Sequence, residues 1–249
     1  MKVSIITVVY NNERFVKDAI NSVLSQDYPD IEYIIIDGAS KDNTMQEINK
    51  FRNKISKIIS EPDNGLYEAM NKGVQLATGD VIGILNSDDL YYDNHVISEV
   101  VEAFSNHPHI DAVYGNLLFC RQEDTNQVVR KWISNGYKKN FFESGDIFPH
   151  PTLFVKKGVY QKAGDYYLPY KIASDYEFML RAFRVHGFTP FFINKFFVRM
   201  RMGGKSTGSV KNIIKGNREI YASWKKNKLS FPIQLFVLRP FKKIMQFIH

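Results

Sequence analysis

DVIGILNSDD, residues Asp80–Asp89, opens as a short apolar run rich in β-branched side chains and closes on two adjacent carboxylates. The run is the right length for a buried strand. Asp88 and Asp89 then stand where the strand runs out, and both repulsion and desolvation oppose two carboxylates there. Two readings stand side by side. Asp is a common turn and helix N-cap residue, which explains the pair without a ligand. A divalent cation would instead cancel the two charges.

Three further strand-like runs precede this one. VSIITVVY (3–10) and IEYIIID (31–37) are nearly continuous apolar runs, as in strands buried on both faces, and KIIS (57–60) is shorter. Between them the period becomes helical. Val16, Ile20, Val23 and Leu24 share one face, with Asn12 as the expected N-cap, and SKDNTMQEINKF opens like a capped helix. Leu66, Met70, Gly73, Val74 and Ala77 line a third helix. The β-α-β-α-β-α-β order predicts an α/β fold with a Rossmann-like, mostly parallel sheet flanked by helices. Ligands bind such sheets beyond the carboxyl ends of the strands. Asn11, Asp37, Glu61 with Asp63, and Asp88 with Asp89 each follow one of the four strands, so they share one rim.

The chain has 249 residues, enough for one large α/β domain, and carries a net charge of +7. That charge suits nucleic acid, an anionic membrane or a phosphorylated ligand. No basic–aromatic recognition pattern supports nucleic acid. The single cysteine, Cys120, allows no internal disulfide, reads as a small buried side chain and argues for a reducing compartment. The start, MKVSIITVVYNNE, reads as a first strand and not a leader, and no run reaches the ~18 apolar residues of a membrane span.

After residue 105 the pattern loosens. DAVYGNLLF and QVVRKWI flank the polar EDTN turn and predict a hairpin. FPHPTLFV is a loop entering a strand. His150, between two prolines, reads as a loop residue held in place, with a ligand or acceptor role as the lesser reading. ASDYEFMLRAF is helical, and Ser174 with Glu177 matches a capping box. Asp175, at the start of that helix, either complements the helix dipole or serves as a general base. RMRMGGKSTGS (199–209) reads as a glycine-containing loop whose Arg199, Arg201 and Lys205 can close over a diphosphate, or as a solvated basic loop. From Lys225 the sequence is basic and apolar together, an amphipathic extension that Pro240 should kink or divide. It fits an interfacial helix on an anionic membrane or a helix packed on the domain or on a second subunit.

At the strand ends the chemistry is that of oxygen ligands. Asp37 can accept hydrogen bonds from a base or a ribose, and Gly38 lets a backbone approach closely, while Ser40 or Asp42 can cap the next helix. Asp88 and Asp89 suit Mg²⁺ or Mn²⁺ shared with substrate phosphates, a Lewis acid for a leaving diphosphate.

Taken in order, SIITVVYNNE, IIIDGASKDNT, SEPDNGLYEAMNKGVQLATGD, LNSDDLYYDN and HPTLF followed by ASDYEFMLR resemble a family 2 glycosyltransferase of the bacterial polysaccharide-building kind. The resemblance runs from about residue 3 to residue 206. It implies a GT-A fold, a nucleotide-sugar donor, inversion at the anomeric carbon and usually a divalent cation, Mn²⁺ or Mg²⁺. By position it implies Asp37 at the nucleoside with Glu61 or Asp63 beside it, Asn86 and Asp88 toward the donor, Asp89 as the direct metal ligand with Asp88, and Asp175 as catalytic base. Arg201 and Lys205 would meet the diphosphate. Two departures stand out. Many members have two acidic residues where this chain has Asp37-Gly38, and many have Arg where it has Met70. Uridine is the expected base by family habit.

The implied organisation is a glycosyltransferase domain over 1–224, with a nucleotide-binding half 1–105 and an acceptor-side half 106–224, and the extension 225–249. The expected reaction moves a sugar to a hydroxyl of a glycan or a polyprenyl-diphosphate-linked acceptor in O-antigen, capsule or exopolysaccharide synthesis. The expected place is the cytoplasm, peripheral on the inner face of the bacterial membrane, with a homodimer also compatible. A nucleotidyltransferase making a sugar nucleotide would show a glycine-rich basic loop after the first strand, where this chain has YNNERF. A non-catalytic nucleotide-sugar-binding protein would have no need of Asp175.

Overall fold

The computed structural model describes residues 1–203 and 210–246. The first half is built as the alternation predicts. Strand β1 (Val3–Val9) is followed by helix α1 (Val16–Leu24), β2 (Ile31–Asp37), α2 (Thr44–Asn49), β3 (Lys57–Ser60), α3 (Leu66–Leu76) and β4 (Val81–Ile84). The second half contains β5 (Leu90–Tyr91), α4 (Val96–Asn106), β6 (Ala112–Cys120), β7 (Val128–Trp132), β8 (Phe154–Lys156), α5 (Lys157–Ala163), α6 (Ser174–Met179), β9 (Pro190–Arg201), α7 (Val210–Lys226) and α8 (Leu235–Met245).

The described strands form one sheet in the order β3-β2-β1-β4-β8-β6-β9-β5, with β7 paired to β6. Strands β3, β2, β1 and β4 are parallel. Beyond β4 the sheet becomes mixed. Strand β8 runs antiparallel to both β4 and β6, while β9 returns parallel to β6. Strands β6 and β7 are the expected hairpin.

Why the first strands read as continuous apolar runs is plain from the core. Ile6 and Val8 of β1, with Ile34 and Ile36 of β2, face α3, α5 and α6. Their alternates Val3, Ile5, Val9, Tyr33 and Ile35 face α1 and α4. With helices on both sides, each strand needs apolar residues at both phases of its period-two repeat.

Several local expectations are corrected. Phe15, not Asn12, occupies the N-cap of α1, because residues 13–15 form a turn first. Leu66 is exposed, and Tyr67 takes the buried position in the first turn of α3. No helix begins at Asp88 or Asp89; a turn leads instead into the edge strand β5, which removes the N-cap reading of that pair. Ser174 and Glu177 form no capping box. Ser174 Oγ donates to the Tyr167 carbonyl, and Glu177 is buried against Arg181, Lys226 and Asn227. Helix α8 runs undivided through Pro240, which is exposed, so solvent can take the freed carbonyl one turn back.

Candidate functional site

Register builds the rim. The pairings Val9↔Asp37 and Asp37↔Ser60 bring the carboxyl ends of β1, β2 and β3 level, and Ile6↔Ile84 sets β4 beside them. The loops that follow are tied together. Asn11, in the left-handed region at φ 47°, accepts from the Lys41 amide at 2.7 Å, while its own amide donates to Ser40 Oγ at 2.8 Å. Asn12 Nδ2 donates to Ser87 Oγ at 2.8 Å, joining the loop after β1 to the loop after β4.

Asp37 is wholly buried. Its Oδ2 accepts from the Ser40 amide at 3.1 Å and from Ser60 Oγ at 2.6 Å, and its Oδ1 from Ser40 Oγ. Gly38 is required beside it. A Cβ there would lie 2.6 Å from Asp63 Oδ2 and 3.3 Å from the Tyr10 ring. Asp63 Oδ1 accepts from the Gly65 amide at 2.8 Å. Glu61 is exposed and pairs with Lys72 at 3.0 Å.

Asp88 and Asp89 follow β4. Burial pushes the Asp88 carboxyl up, against the opposing pull of Arg201. Asp89 is wholly buried, and its carboxyl is pushed well above the usual range by burial and then by the charge of Asp88. Asn86 Nδ2 donates to Asp89 Oδ2 at 2.9 Å. Asp89 Oδ1 is buried with no hydrogen-bond partner among the described residues. A hard cation fits this donor set: two carboxylates, one of them with a desolvated oxygen unused, at the carboxyl rim of the parallel strands. The described residues hold no cluster of three or more metal-ligating side chains, so substrate oxygens would have to complete the shell.

Arg201, at the end of β9, is not a free loop cation. It is buried, its Nη2 pairs with Asp18 at 2.7 Å, its Nη1 donates to the Asp88 carbonyl at 2.8 Å, and its Nε donates to the Gln122 carbonyl at 2.9 Å. Its guanidinium also stacks 4.5 Å above the Phe15 ring. With every nitrogen engaged, closing over a diphosphate would break these bonds; the side chain holds the backbone of Asp88 instead. Lys205 lies outside the described residues.

Asp175 is the second residue of α6 and meets α3 at Tyr67. The Tyr67 hydroxyl lies 3.1 Å from Asp175 Oδ1 and 2.8 Å from the Ile172 carbonyl, so its one proton serves one of them at a time. The loop that carries Asp175 is held by Glu219 of α7, whose carboxylate accepts from the amides of Lys171 at 3.0 Å, Ile172 at 2.8 Å and Ala173 at 2.8 Å. Asn71 of α3, one residue after Met70, fixes the neighbouring loop by exchanging two bonds of 2.9 Å with the Tyr166 backbone. His150 Nε2 lies 2.9 Å from the Tyr166 hydroxyl; burial pushes its pKa down, against the raising effect of Asp175, and favours neutral imidazole.

Sequence reading gave Ser40 only a helix-capping role, where the structure sets it on Asp37, and it missed Ser60, Tyr67, Asn71 and Glu219. The two serines lie in motifs it had singled out, but Glu219 gives no signal, because its three amide partners are more than forty residues away. A surface cavity of about 360 Å³ lined by Met1, Asp80, Lys156 and Lys162 opens at the amino ends of β1 and β4, away from all these residues.

The family model for glycosyl transferase family 2 matches residues 4–191. An uncharacterized glycosyltransferase of Mycobacterium tuberculosis strain H37Rv is 33% identical over 181 residues, spanning 72% of this chain and 68% of that one. A PGL/p-HBAD biosynthesis glycosyltransferase of Mycobacterium bovis BCG is 29% identical over 183 residues, 72% of this chain and 69% of that one. Among solved structures, S. aureus TarS 1–349 superposes with a TM-score of 0.72 at 19% identity, covering 98% of this chain and 72% of that chain. The Pyrobaculum calidifontis mannosyltransferase PcManGT, in complex with GDP-Man and Mn²⁺, superposes with a TM-score of 0.63 at 16% identity, covering 98% and 74%.

Proposed function

Because the chain belongs to glycosyl transferase family 2 and has the GT-A fold, we propose that it moves a sugar from a UDP-sugar to a hydroxyl of a glycan or lipid-linked saccharide, with inversion and with Mn²⁺ or Mg²⁺. The observation that carries this reading is the unpartnered, buried Asp89 Oδ1 beside Asp88 at the carboxyl rim of the parallel strands. TarS has been solved with UDP-GlcNAc, which makes UDP-sugars the first donors to test.

In this reading residues 1–105 bind the nucleotide and residues 106–224 face the acceptor. Asp37, held by Ser40 and Ser60, takes the nucleoside, with Asp63 and Gly38 shaping the pocket wall. Asp88 and Asp89 would hold the cation, which would supply neutralising charge to the leaving diphosphate. Arg201 keeps the Asp88 backbone in place. Asp175 takes the proton of the acceptor hydroxyl as its oxygen bonds to the anomeric carbon. The bond to the diphosphate oxygen breaks on the opposite face, and its electron pair leaves with the nucleotide. The Tyr67 hydroxyl, 3.1 Å from Asp175 Oδ1, helps to orient that carboxylate.

The exposed apolar face of α8 supports a peripheral membrane role, as developed below. No helix among the described residues is long and apolar enough to cross a membrane. The deciding experiment is release of nucleoside diphosphate from a panel of nucleotide sugars with Mn²⁺, Mg²⁺ or EDTA. Metal-dependent release from one UDP-sugar, lost in Asp89→Ala, is expected. Failure of every donor, together with absence of UDP binding, would overturn the reading.

A further inference from the structure

The C-terminal helix brings cations to the acceptor side that the chemistry at Asp88, Asp89 and Asp175 leaves unused. Helix α8 is seated firmly. Leu235 is buried, Lys242 pairs with Asp146 at 2.6 Å, and the Gln246 carbonyl accepts from the Lys131 amide of β7 at 3.3 Å. Gly145, at φ 84°, makes room for it: a Cβ there would lie 3.2 Å from Leu238 Cβ and 3.5 Å from the Arg239 amide.

From this seat Arg239 reaches inward. Its guanidinium lies 4.9 Å above the ring of Tyr176, the residue next to Asp175, and the charge of Asp175 acts on it. Nη1 of Arg239 is shielded from solvent and has no hydrogen-bond partner among the described residues. Of the two carboxylates beside Gly145, Asp146 is taken by Lys242, and Glu143 pairs through Oε1 with Arg184 at 2.7 Å while its buried Oε2 has no hydrogen-bond partner among the described residues. Lys243 sits one helical turn beyond Arg239. Burial pushes its pKa down, and so do the neighbouring charges of Arg130 and Arg239. Arg130, from β7, stacks 3.6 Å above the Phe119 ring. Arg239 and Lys243, one helical turn apart, thus repel one another. A shielded donor without a partner costs free energy, and an anion would remove both that cost and the repulsion. Outward, α8 exposes Phe236, Val237, Phe241 and Ile244.

We propose that Arg239 and Lys243 bind a phosphate or diphosphate group carried by the acceptor, holding it beside Asp175 while the apolar face of α8 meets the chain to which that group is attached. This rests on the glycosyl-transfer reading above and adds the side chains that would hold the acceptor's phosphate. A guanidinium can give two parallel bonds to phosphate oxygens, and the ammonium adds a point charge.

The test uses geranyl diphosphate as probe and calorimetric titration of the full chain in EDTA, where Asp88 and Asp89 have no metal with which to bridge a diphosphate. Binding of UDP with Mn²⁺ is measured in parallel. Arg239→Gln and Lys243→Gln are each expected to weaken geranyl diphosphate by about tenfold or more, one good contact's worth. Arg239→Lys should fall between, and UDP with Mn²⁺ should stay within twofold for all variants, with thermal melts unchanged. Geraniol should bind weakly and indifferently to the substitutions. The proposal is overturned if wild type does not bind geranyl diphosphate or if the substitutions leave that binding unchanged. It is also overturned if they alter only binding to phosphatidylglycerol vesicles, which would assign the cations to a bulk headgroup surface. Loss of UDP binding in wild type would instead sink the glycosyl-transfer reading itself.

Discussion

In the proposed reaction Asp89 would link a buried carboxylate, through a cation, to a nucleotide that arrives with its own charge. Its shielded Oδ1 and the neighbouring Asp88 disfavour ionisation until a cation is bound. Wild type should therefore gain thermal stability from UDP with Mn²⁺, about 2.7 kcal/mol at a hundredfold excess over Kd. Asp89→Ala should lose most of that gain, which a melt with and without metal measures. Asp175 is tested by the opposite pattern. Asp175→Asn should keep UDP binding and lose transfer by roughly 10²–10⁴-fold, the usual worth of a general base. Unchanged transfer in that variant would remove Asp175 from the chemistry.

At the scale of elements, two carboxylates fasten the parts that carry the site. Glu32 of β2 is buried and accepts from Ser4 of β1 at 2.6 Å, the Thr78 amide at 2.7 Å and Lys57 of β3 at 3.1 Å. Burial alone would raise its carboxyl, but these donors outweigh burial and hold it at about 2, against an ordinary 4.5. A depressed folded pKa stabilises above the unfolded value and loses that contribution as pH falls. Wild type should thus lose on the order of 3 kcal/mol between pH 4.5 and pH 2, and Glu32→Gln should lack that step in a denaturant series. Glu219 of α7 holds the loop ahead of Asp175 through three amides, and a neutral amide side chain cannot accept all three as well. Glu219→Gln should lower stability by about 1–3 kcal/mol and lower kcat, with the donor KM unchanged. A melt and steady-state kinetics check both. Because α7 lies beyond residue 191, this support is outside the region matched by the family model.

Across the whole molecule, α8 divides its residues between two tasks. Leu235 and Lys242 bind it to the domain, and Phe236, Val237, Phe241 and Ile244 face outward. An apolar face on a chain of net charge +7 suits an anionic bilayer. Replacing Phe236, Phe241 and Ile244 by Ser should leave the melt unchanged and reduce cosedimentation with phosphatidylglycerol vesicles several-fold. Unchanged partition would remove the membrane role. The inward contacts bear out the packed-helix reading of this tail, and the interfacial reading rests on that partition measurement.

Sequence alone determined the strand order of the first half, the shared rim and the family, because parallel strands buried on both faces leave long apolar runs and strand-end carboxylates follow them directly. It located Asp37, Asp88, Asp89 and Asp175 as candidates, since each sits within a few residues of an element boundary. Tertiary structure decided what surrounds them. That Arg201 is tied to Asp18 and the Asp88 backbone, that Tyr67 reaches Asp175, that Glu219 holds the loop before α6, and that Arg239 lies over Tyr176 are contacts between residues 46 to 183 positions apart, or between elements whose packing local periodicity does not encode. Hydrogen bonds and ion pairs act over a few ångströms of space, whatever the distance along the chain, so only the folded arrangement could assign them.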